Sequence, residues 1–98
     1  MIRTLRINPA AENAIARAYA WYEGQRNGLG DELLTVLDDC FRSVLRNPEA
    51  FPILHRSARR ALVRRFPYCV YFVMNEAEIV VLAVLHGRRN PQAWRQRI

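Results

Sequence analysis

Arginine and histidine residues gather at two points in the second half of the sequence, where together they could bind an anion and transfer a proton. Arg64-Arg65 stand just before Phe66-Pro67-Tyr68, and His86 is followed closely by Arg88-Arg89. Guanidinium groups bind phosphate or carboxylate through paired hydrogen bonds, and histidine is a common general acid or base near neutral pH. These residues predict either an anion-binding patch or a solvated, charge-rich end of a sheet, and both interpretations fit equally well.

His86 is the candidate base of such a patch, but the sequence shows no carboxylate partner that would orient its ring. We therefore favour a structural role for His86 at the end of a strand, hydrogen-bonded to the backbone. The sequence contains no phosphate-binding loop, nucleotide fingerprint, nucleophile elbow or Cys/His metal spacing, so we expect neither a cofactor nor a metal. Cys40 and Cys69 lie in apolar segments and are expected to be reduced core thiols.

The net charge of +6 is carried by the second half of the chain. Residues 1–54 contain six arginines and seven acidic residues, whereas residues 55–98 contain nine arginines and two acidic residues. Such a basic half predicts an acidic partner, which could be a protein segment, nucleic acid or phosphate. The sequence contains no lysine, and we attribute this absence to coding bias rather than to function.

The first half of the chain predicts one strand followed by a helical hairpin. Residues 2–7 alternate between apolar and polar types, which is typical of a half-buried strand, and Asn8-Pro9 then caps a first helix. Gly28-Leu29-Gly30 is expected to break that helix, and Asp31-Glu32 to open a second helix that ends at Asn47-Pro48. The aromatic residues of the two helices are spaced for packing in the core; they are Tyr19, Trp21, Tyr22 and Phe41.

The second half predicts a sheet. Pro52 keeps the segment after the hairpin irregular, and Asn75–Glu78 forms a tight turn between the last two strands. The continuous apolar character of these two strands indicates that they are central and at least partly covered on both faces. A short last element covers Pro91–Ile98. The expected strands are Arg59–Arg64, Phe66–Met74 and Ile79–His86.

The sum is an α+β fold of order β-α-α-β-β-β, in which a helical hairpin packs on a small, largely antiparallel sheet. A chain of 98 residues predicts a single domain covering residues 1–98. Its longest apolar runs are seven residues and it begins without a signal-peptide pattern, so we expect a cytoplasmic protein with no membrane span.

An ordered set of short motifs runs along nearly the whole chain. They are Tyr22-Glu23, Gly28-Leu29-Gly30-Asp31-Glu32-Leu33, Asn47-Pro48, Arg65-Phe66-Pro67-Tyr68-Cys69-Val70-Tyr71, Val81-Leu82-Ala83-Val84-Leu85-His86-Gly87-Arg88-Arg89, and Asn90-Pro91 with Trp94. The set resembles the RelE/ParE superfamily of toxins from bacterial type II toxin–antitoxin systems, and within it the ParE-like, plasmid-stabilisation branch. The predicted order of elements also matches the fold of that family.

The resemblance implies a growth-inhibiting toxin that is neutralised by direct binding of a cognate antitoxin. In ParE-like systems the antitoxin usually combines a ribbon-helix-helix DNA-binding dimer with a tail that wraps the toxin, and such tails are often acidic and fold on binding. The basic half of this chain is the electrostatic complement of such a tail. We expect the tail to lie along the hairpin and the sheet, and to add a strand to an exposed edge.

The molecular target divides the superfamily, since ParE-like members inhibit DNA gyrase and RelE-like members are ribosome-dependent mRNA endonucleases. We prefer gyrase, with a C-terminal segment that includes Trp94 and Arg95 engaging the target. The candidate residues for binding the partner or target are Arg59, Arg60, Arg65, Arg88, Arg89, Trp94 and Arg95.

The alternative is an endonuclease in which His86 is the base and four arginines bind the phosphate. RelE-like sites use lysines and arginines or a Glu–His pair, often with a tyrosine near the C-terminus. This chain has no lysine, and its last tyrosine is Tyr71, so its residues fit such a site less well. A third hypothesis is a degenerate homologue that only binds its antitoxin. The four arginines of the nuclease hypothesis are Arg64, Arg65, Arg88 and Arg89.

Overall fold

The structure, a computed structural model, describes residues 3–87, in which two helices pack on one face of a five-stranded sheet. The elements are β1 (Thr4–Ile7), α1 (Pro9–Gln25), α2 (Leu29–Arg46), a 3-10 turn (Pro48–Ala50), β2 (Ile53–His55), β3 (Ala58–Leu62), β4 (Tyr68–Met74) and β5 (Glu78–His86). The α+β prediction of a helical hairpin on a small sheet is confirmed.

The sheet has the strand order β1-β5-β4-β3-β2, so the first strand of the chain pairs with the last. β1 is parallel to β5, and the other three pairings are antiparallel, which makes the sheet mixed but largely antiparallel as expected. The turn predicted between β4 and β5 is present, because the Asn75 side-chain oxygen accepts hydrogen bonds from the backbone N–H groups of Ala77 and Glu78.

The prediction was wrong in two places in the sheet. The segment after Pro52 is not wholly irregular, because Ile53–His55 forms a short strand against β3, and three residues are too few to show an alternating pattern. β3 covers Ala58–Leu62 rather than Arg59–Arg64, and β4 begins at Tyr68 rather than at Phe66. The chain between these two strands includes Arg65, which has a positive φ of 69°. That left-handed backbone belongs to a turn and not to a strand.

The helical hairpin begins with a side-chain cap and turns on a glycine. The Asn8 side-chain oxygen accepts a hydrogen bond of 2.9 Å from the Ala11 N–H, which confirms the predicted cap of α1. The predicted break after α1 is present, and Gly28 in it has a φ of 90°. α2 begins at Leu29 rather than at Asp31, so Gly30 lies within α2. No helix among residues 3–87 is long and apolar enough to cross a membrane.

The start of α2 is capped by a side chain of α1. The two carboxylate oxygens of Glu23 accept hydrogen bonds of 2.9 Å from the backbone N–H groups of Gly28 and Gly30. The first N–H groups of a helix lack partners within the helix, so this carboxylate satisfies donors that would otherwise be unpaired and suits the positive helix terminus. The two helices are thereby fixed against each other at their junction.

Buried apolar residues cover both faces of the central strands, as their sequence predicted. One cluster lies between the helices and the sheet and includes Leu33, Phe72 and Ile79, which are fully buried. A second cluster contains only sheet residues, among them Cys69 and Tyr71, and lies on the opposite face because neighbouring residues of a strand point in opposite directions. Both cysteines are free, but Cys69 is buried and Cys40 only partly buried.

Gly30 is predicted to be intolerant of a side chain. A Cβ atom at this position would lie 2.8 Å from both the ring and the backbone oxygen of Tyr19, so Gly30→Ala should lower the free energy of unfolding, by roughly 1–3 kcal/mol. Gly24→Ala is the matched control, because a Cβ atom there meets nothing within 4 Å and should stabilise α1, by about 0.5–1 kcal/mol. Urea unfolding followed by circular dichroism measures both, and equal stability of the two variants would contradict the prediction.

Candidate functional site

The two backbone segments that carry the predicted patch lie next to each other. Tyr68 and His86 are partners in the β4–β5 register, and the Gly87 N–H donates a hydrogen bond of 2.7 Å to the Pro67 carbonyl oxygen. The expected proximity of the two sheet ends is therefore confirmed for the backbone. Arg88 and Arg89 lie outside the described residues, as do Trp94 and Arg95.

The two arginines before β4 extend toward carboxylates of α2. Arg65 Nη2 lies 2.8 Å from Glu32 Oε1, and Arg26 Nη2 lies 2.8 Å from Glu32 Oε2, so one carboxylate binds two guanidinium groups. Arg64 Nη2 lies 3.6 Å from Asp39 Oδ2 on the next turns of the same helix. The guanidinium groups of Arg64 and Arg65 thus both form ion pairs with carboxylates of α2.

His86 lies in a different environment, beside aromatic rings. Its ring packs edge to face on Tyr68 with 5.6 Å between centroids, and it lines a cleft of about 540 Å³ between α1 and the adjoining ends of β4 and β5. Arg17 and Trp21 of α1 line the same cleft. Trp21 was expected in the core, but 60% of it is exposed, because the inward positions of α1 are occupied by its neighbours Ala18 and Tyr22.

A second groove runs between α2 and β3, and we call it the α2–β3 groove. It measures about 510 Å³, and three arginines and several apolar side chains line it. Sequence reasoning missed this groove, because its residues come from α2, from β3 and from two connecting segments, and no local sequence pattern shows how these pack together. The lining residues are Val36, Asp39, Cys40, Arg42, Ser43, Arg46, Phe51, Leu62 and Arg64.

The other two candidate arginines, Arg59 and Arg60, are half-buried and make structural contacts. Arg59 Nη1 donates hydrogen bonds to the carbonyl oxygens of Phe51, at 2.7 Å, and Glu49, at 3.3 Å, which ties the 3-10 turn to β3. Arg60 is paired with Tyr71 in the β3–β4 register. Its positive charge opposes the effect of burial, which raises the pKa of the Tyr71 hydroxyl above its ordinary value.

The charge state of two side chains follows from their surroundings. Hydrogen bonds from Arg65 and then Arg26 hold the pKa of Glu32 below its ordinary value, so this carboxylate stays ionised near neutral pH. Burial raises the pKa of the Cys40 thiol to about 11, which keeps it protonated and a poor nucleophile.

Among residues 3–87, no three His, Cys, Asp or Glu side chains come together where they could hold a metal ion.

Comparison with known proteins gives a consistent family. Residues 5–91 match the family model described as the ParE toxin of the type II toxin–antitoxin system parDE. The chain is 30% identical over 94 residues to Toxin ParE2 of Mycobacterium tuberculosis, in both strain CDC 1551 / Oshkosh and strain ATCC 25618 / H37Rv. That alignment covers 95% of this chain and 90% of the relative.

A solved structure matches the fold. The structure described as the chromosomal ParDE TA system from P. aeruginosa superimposes with a TM-score of 0.65 and covers 87% of this chain and 96% of that chain. The two sequences are 16% identical, so this likeness concerns the fold alone.

The Glu32 bridge is expected to make stability depend on pH. Because the pKa of Glu32 is lowered in the folded state, its contribution is fully present above the ordinary value of 4.5 and is lost as the pH falls through the folded pKa. Glu32→Gln should therefore lower the melting temperature at pH 7, and the difference in melting temperature from the unsubstituted protein should shrink as the pH falls below 4.5. Thermal melts across this pH range measure the difference in melting temperature, and Arg65→Gln should show most of the same difference. A difference that stays constant with pH would contradict the lowered pKa of Glu32.

Proposed function

Because the chain belongs to the ParE toxin family of type II toxin–antitoxin systems, we propose that it acts on DNA gyrase and that direct binding of a cognate antitoxin neutralises it. The observation that carries the proposal is the family match over residues 5–91, which includes both helices and all of the described strands except the first residue of β1, Thr4. Both proposed partners are cytoplasmic, in agreement with the compartment expected from the sequence.

The distribution of charge supports an acidic antitoxin segment as the direct partner. Nine of the fifteen arginines lie in residues 55–98, against two acidic residues, and oppositely charged surfaces accelerate and orient association. An antitoxin of the ribbon-helix-helix type would use its DNA-binding dimer for the operator and its acidic tail for this toxin. The carboxylates of the tail would pair with arginines of residues 55–98, which contain only two acidic residues of their own.

The placement of the described candidate catalytic residues argues against the nuclease alternative. Cleavage of RNA by attack of a ribose 2′-hydroxyl on the adjacent phosphate needs a base for that hydroxyl, an acid for the leaving oxygen and cationic groups, all converging on one phosphate. Here Arg64 and Arg65 contact carboxylates of α2, whereas His86 packs on Tyr68 in the cleft beside α1. We therefore propose a binding toxin rather than a nuclease, with the C-terminal residues Trp94 and Arg95 contacting gyrase.

Antitoxin neutralisation is tested by expression. Induction of this chain alone in a bacterial host should arrest growth. We expect the antitoxin to be encoded by a gene adjacent to that of the toxin, and its co-expression should restore growth and yield a complex that co-purifies. Normal growth during induction alone would instead support a degenerate homologue. Failure of the neighbouring protein to restore growth or to co-purify would contradict the proposed partnership.

Gyrase inhibition is tested with purified components. The toxin should inhibit supercoiling of relaxed plasmid by gyrase and cause cleaved DNA complexes to accumulate, and His86→Ala should inhibit equally well because His86 has no proposed role in the target contact. Unchanged supercoiling would overturn the proposal. Cleavage of mRNA on translating ribosomes that His86→Ala abolishes would establish the nuclease alternative in its place.

A further inference from the structure

The cleft between α1 and the adjoining ends of β4 and β5, which we call the α1 cleft, combines an exposed tryptophan with an arginine. We propose that the α1 cleft contacts the target, by binding an acidic segment of gyrase that carries a large apolar side chain, an inference that rests on the proposed function. The apolar side chain of that segment would pack on Trp21, and its carboxylates would lie beside Arg17.

The apolar part of the α1 cleft centres on Trp21. This side chain is 60% exposed, although tryptophan is highly buried on average in folded proteins. Its ring packs edge to face on Tyr22, with 4.9 Å between centroids, and the half-buried Tyr22 packs in the same way on Phe66, with 5.0 Å between centroids. Because these contacts already hold the tryptophan ring, a partner can cover it with little further loss of side-chain entropy.

Arg17 gives the α1 cleft a positive charge that the described part of the protein leaves uncompensated. It lies one turn before Trp21 on the same face of α1, is exposed, and forms no ion pair within residues 3–87. None of the described residues that line the cleft is acidic. A partner's carboxylate can therefore bind Arg17 without displacing an acid of the toxin.

Short side chains leave space between α1 and the sheet. Ala14 and Ala18 lie on the same face of the helix as Arg17 and Trp21, because residues three and four apart are neighbours on a helix. The cleft that remains between this face and β5 measures about 540 Å³. Binding clefts occupy roughly 300–1,000 Å³, so the α1 cleft is large enough to accept a bulky side chain of a partner.

The α1 cleft adjoins the end of the described chain. His86 lines the cleft, and the next residue, Gly87, is fixed by the hydrogen bond from its N–H to the Pro67 carbonyl oxygen. Trp94 and Arg95, which we propose to contact gyrase, follow within eight residues of Gly87, a reach of at most about 30 Å. A target surface that binds them can therefore extend to the α1 cleft.

The chemistry of the α1 cleft favours a polypeptide over a nucleic acid. Channels that bind single-stranded nucleic acid place several cations along the path of the phosphates. Arg17 is the only arginine among the described residues that line this cleft. Tryptophan and arginine are also the residues that most often dominate the binding energy of protein–protein interfaces. One exposed tryptophan beside one arginine therefore suits an anchored apolar side chain with an acidic neighbour.

Inhibition of gyrase by a double variant is the direct test. Arg17→Glu/Trp21→Ala should raise the toxin concentration that halves supercoiling of relaxed plasmid about tenfold or more, because it removes the apolar contact and reverses the charge. Arg46→Glu is the charge-matched control on the α2–β3 groove, and its half-inhibitory concentration should remain within about twofold of that of the unsubstituted toxin. Equal loss in both variants, or no loss in either, would overturn the assignment of the α1 cleft.

The single variant Arg17→Glu keeps this test decisive if the double variant does not fold. Arg17 is exposed and forms no ion pair within residues 3–87, so the melting temperature of the variant should match that of the unsubstituted toxin. Its half-inhibitory concentration should still rise, by about threefold or more. A folded Arg17→Glu variant that inhibits gyrase as well as Arg46→Glu does would contradict the proposal.

Trp21 provides a second readout in the unsubstituted toxin. Hydroxyl-radical oxidation followed by tryptic peptide mass spectrometry distinguishes Trp21 from Trp94, because arginines separate the two in the sequence. Trp21 should be oxidised in the free toxin and protected in the complex with gyrase and DNA. Ile53 is the internal control, because it is 55% exposed on β2, which β3 and β4 separate from β5, and its oxidation should not change. Equal oxidation of Trp21 with and without gyrase would contradict docking in the cleft.

Further outcomes separate this inference from its premise. If the unsubstituted toxin does not inhibit gyrase, the proposed function fails and the assignment of the α1 cleft fails with it. If the unsubstituted toxin inhibits gyrase and the double variant inhibits it equally, only the assignment of the cleft fails. If the double variant keeps gyrase inhibition but loses binding of the antitoxin, or of a single-stranded RNA that binds the unsubstituted toxin, the cleft has that other occupant and the proposal is overturned.

Discussion

The rest of the described structure depends on the junction between the two helices, where one carboxylate of α1 satisfies the free N–H groups at the start of α2. Glu23 can reach these donors only because Gly30 lets the helices approach within contact of the Tyr19 ring. This junction sets the position of Glu32 in the first turn of α2, and Glu32 in turn holds Arg65 at the turn before β4. A local capping interaction thus connects the hairpin to the sheet.

That connection also determines where the positive charge of the chain is available. Arg65 is held by a carboxylate at the helix junction, whereas Arg42, Arg46 and Arg64 lie along the groove farther down α2, with weaker contacts. The described arginines therefore separate into cations that hold the fold together and cations of both halves of the sequence that remain accessible to a partner. His86 belongs to neither set, because it packs among aromatic rings on the side of α1.

Sequence patterns predicted the elements that are long and strongly periodic, and failed where tertiary packing decides. The cap at Asn8, both helices and the two central strands follow from local signals. β2 was missed because its few residues gain strand structure only from their pairing with β3. Exposure of Trp21 and the α2–β3 groove depend on the angle between hairpin and sheet, which no single segment encodes. The arginines were identified by type and position, but their partners on α2 lie about 30 residues away in sequence.

The parallel pairing of β1 with β5 has a consequence for synthesis of the chain. Thr4 is the register partner of Glu78. β1 is therefore made early, and it has no strand to pair with until β5 has been made. Contacts between such distant residues form late, because a long loop must close before they form. The nascent chain therefore cannot complete the described sheet until β5 has been made. The sheet ends that carry Arg64, Arg65 and His86 therefore reach their final positions only after β5 has been synthesised.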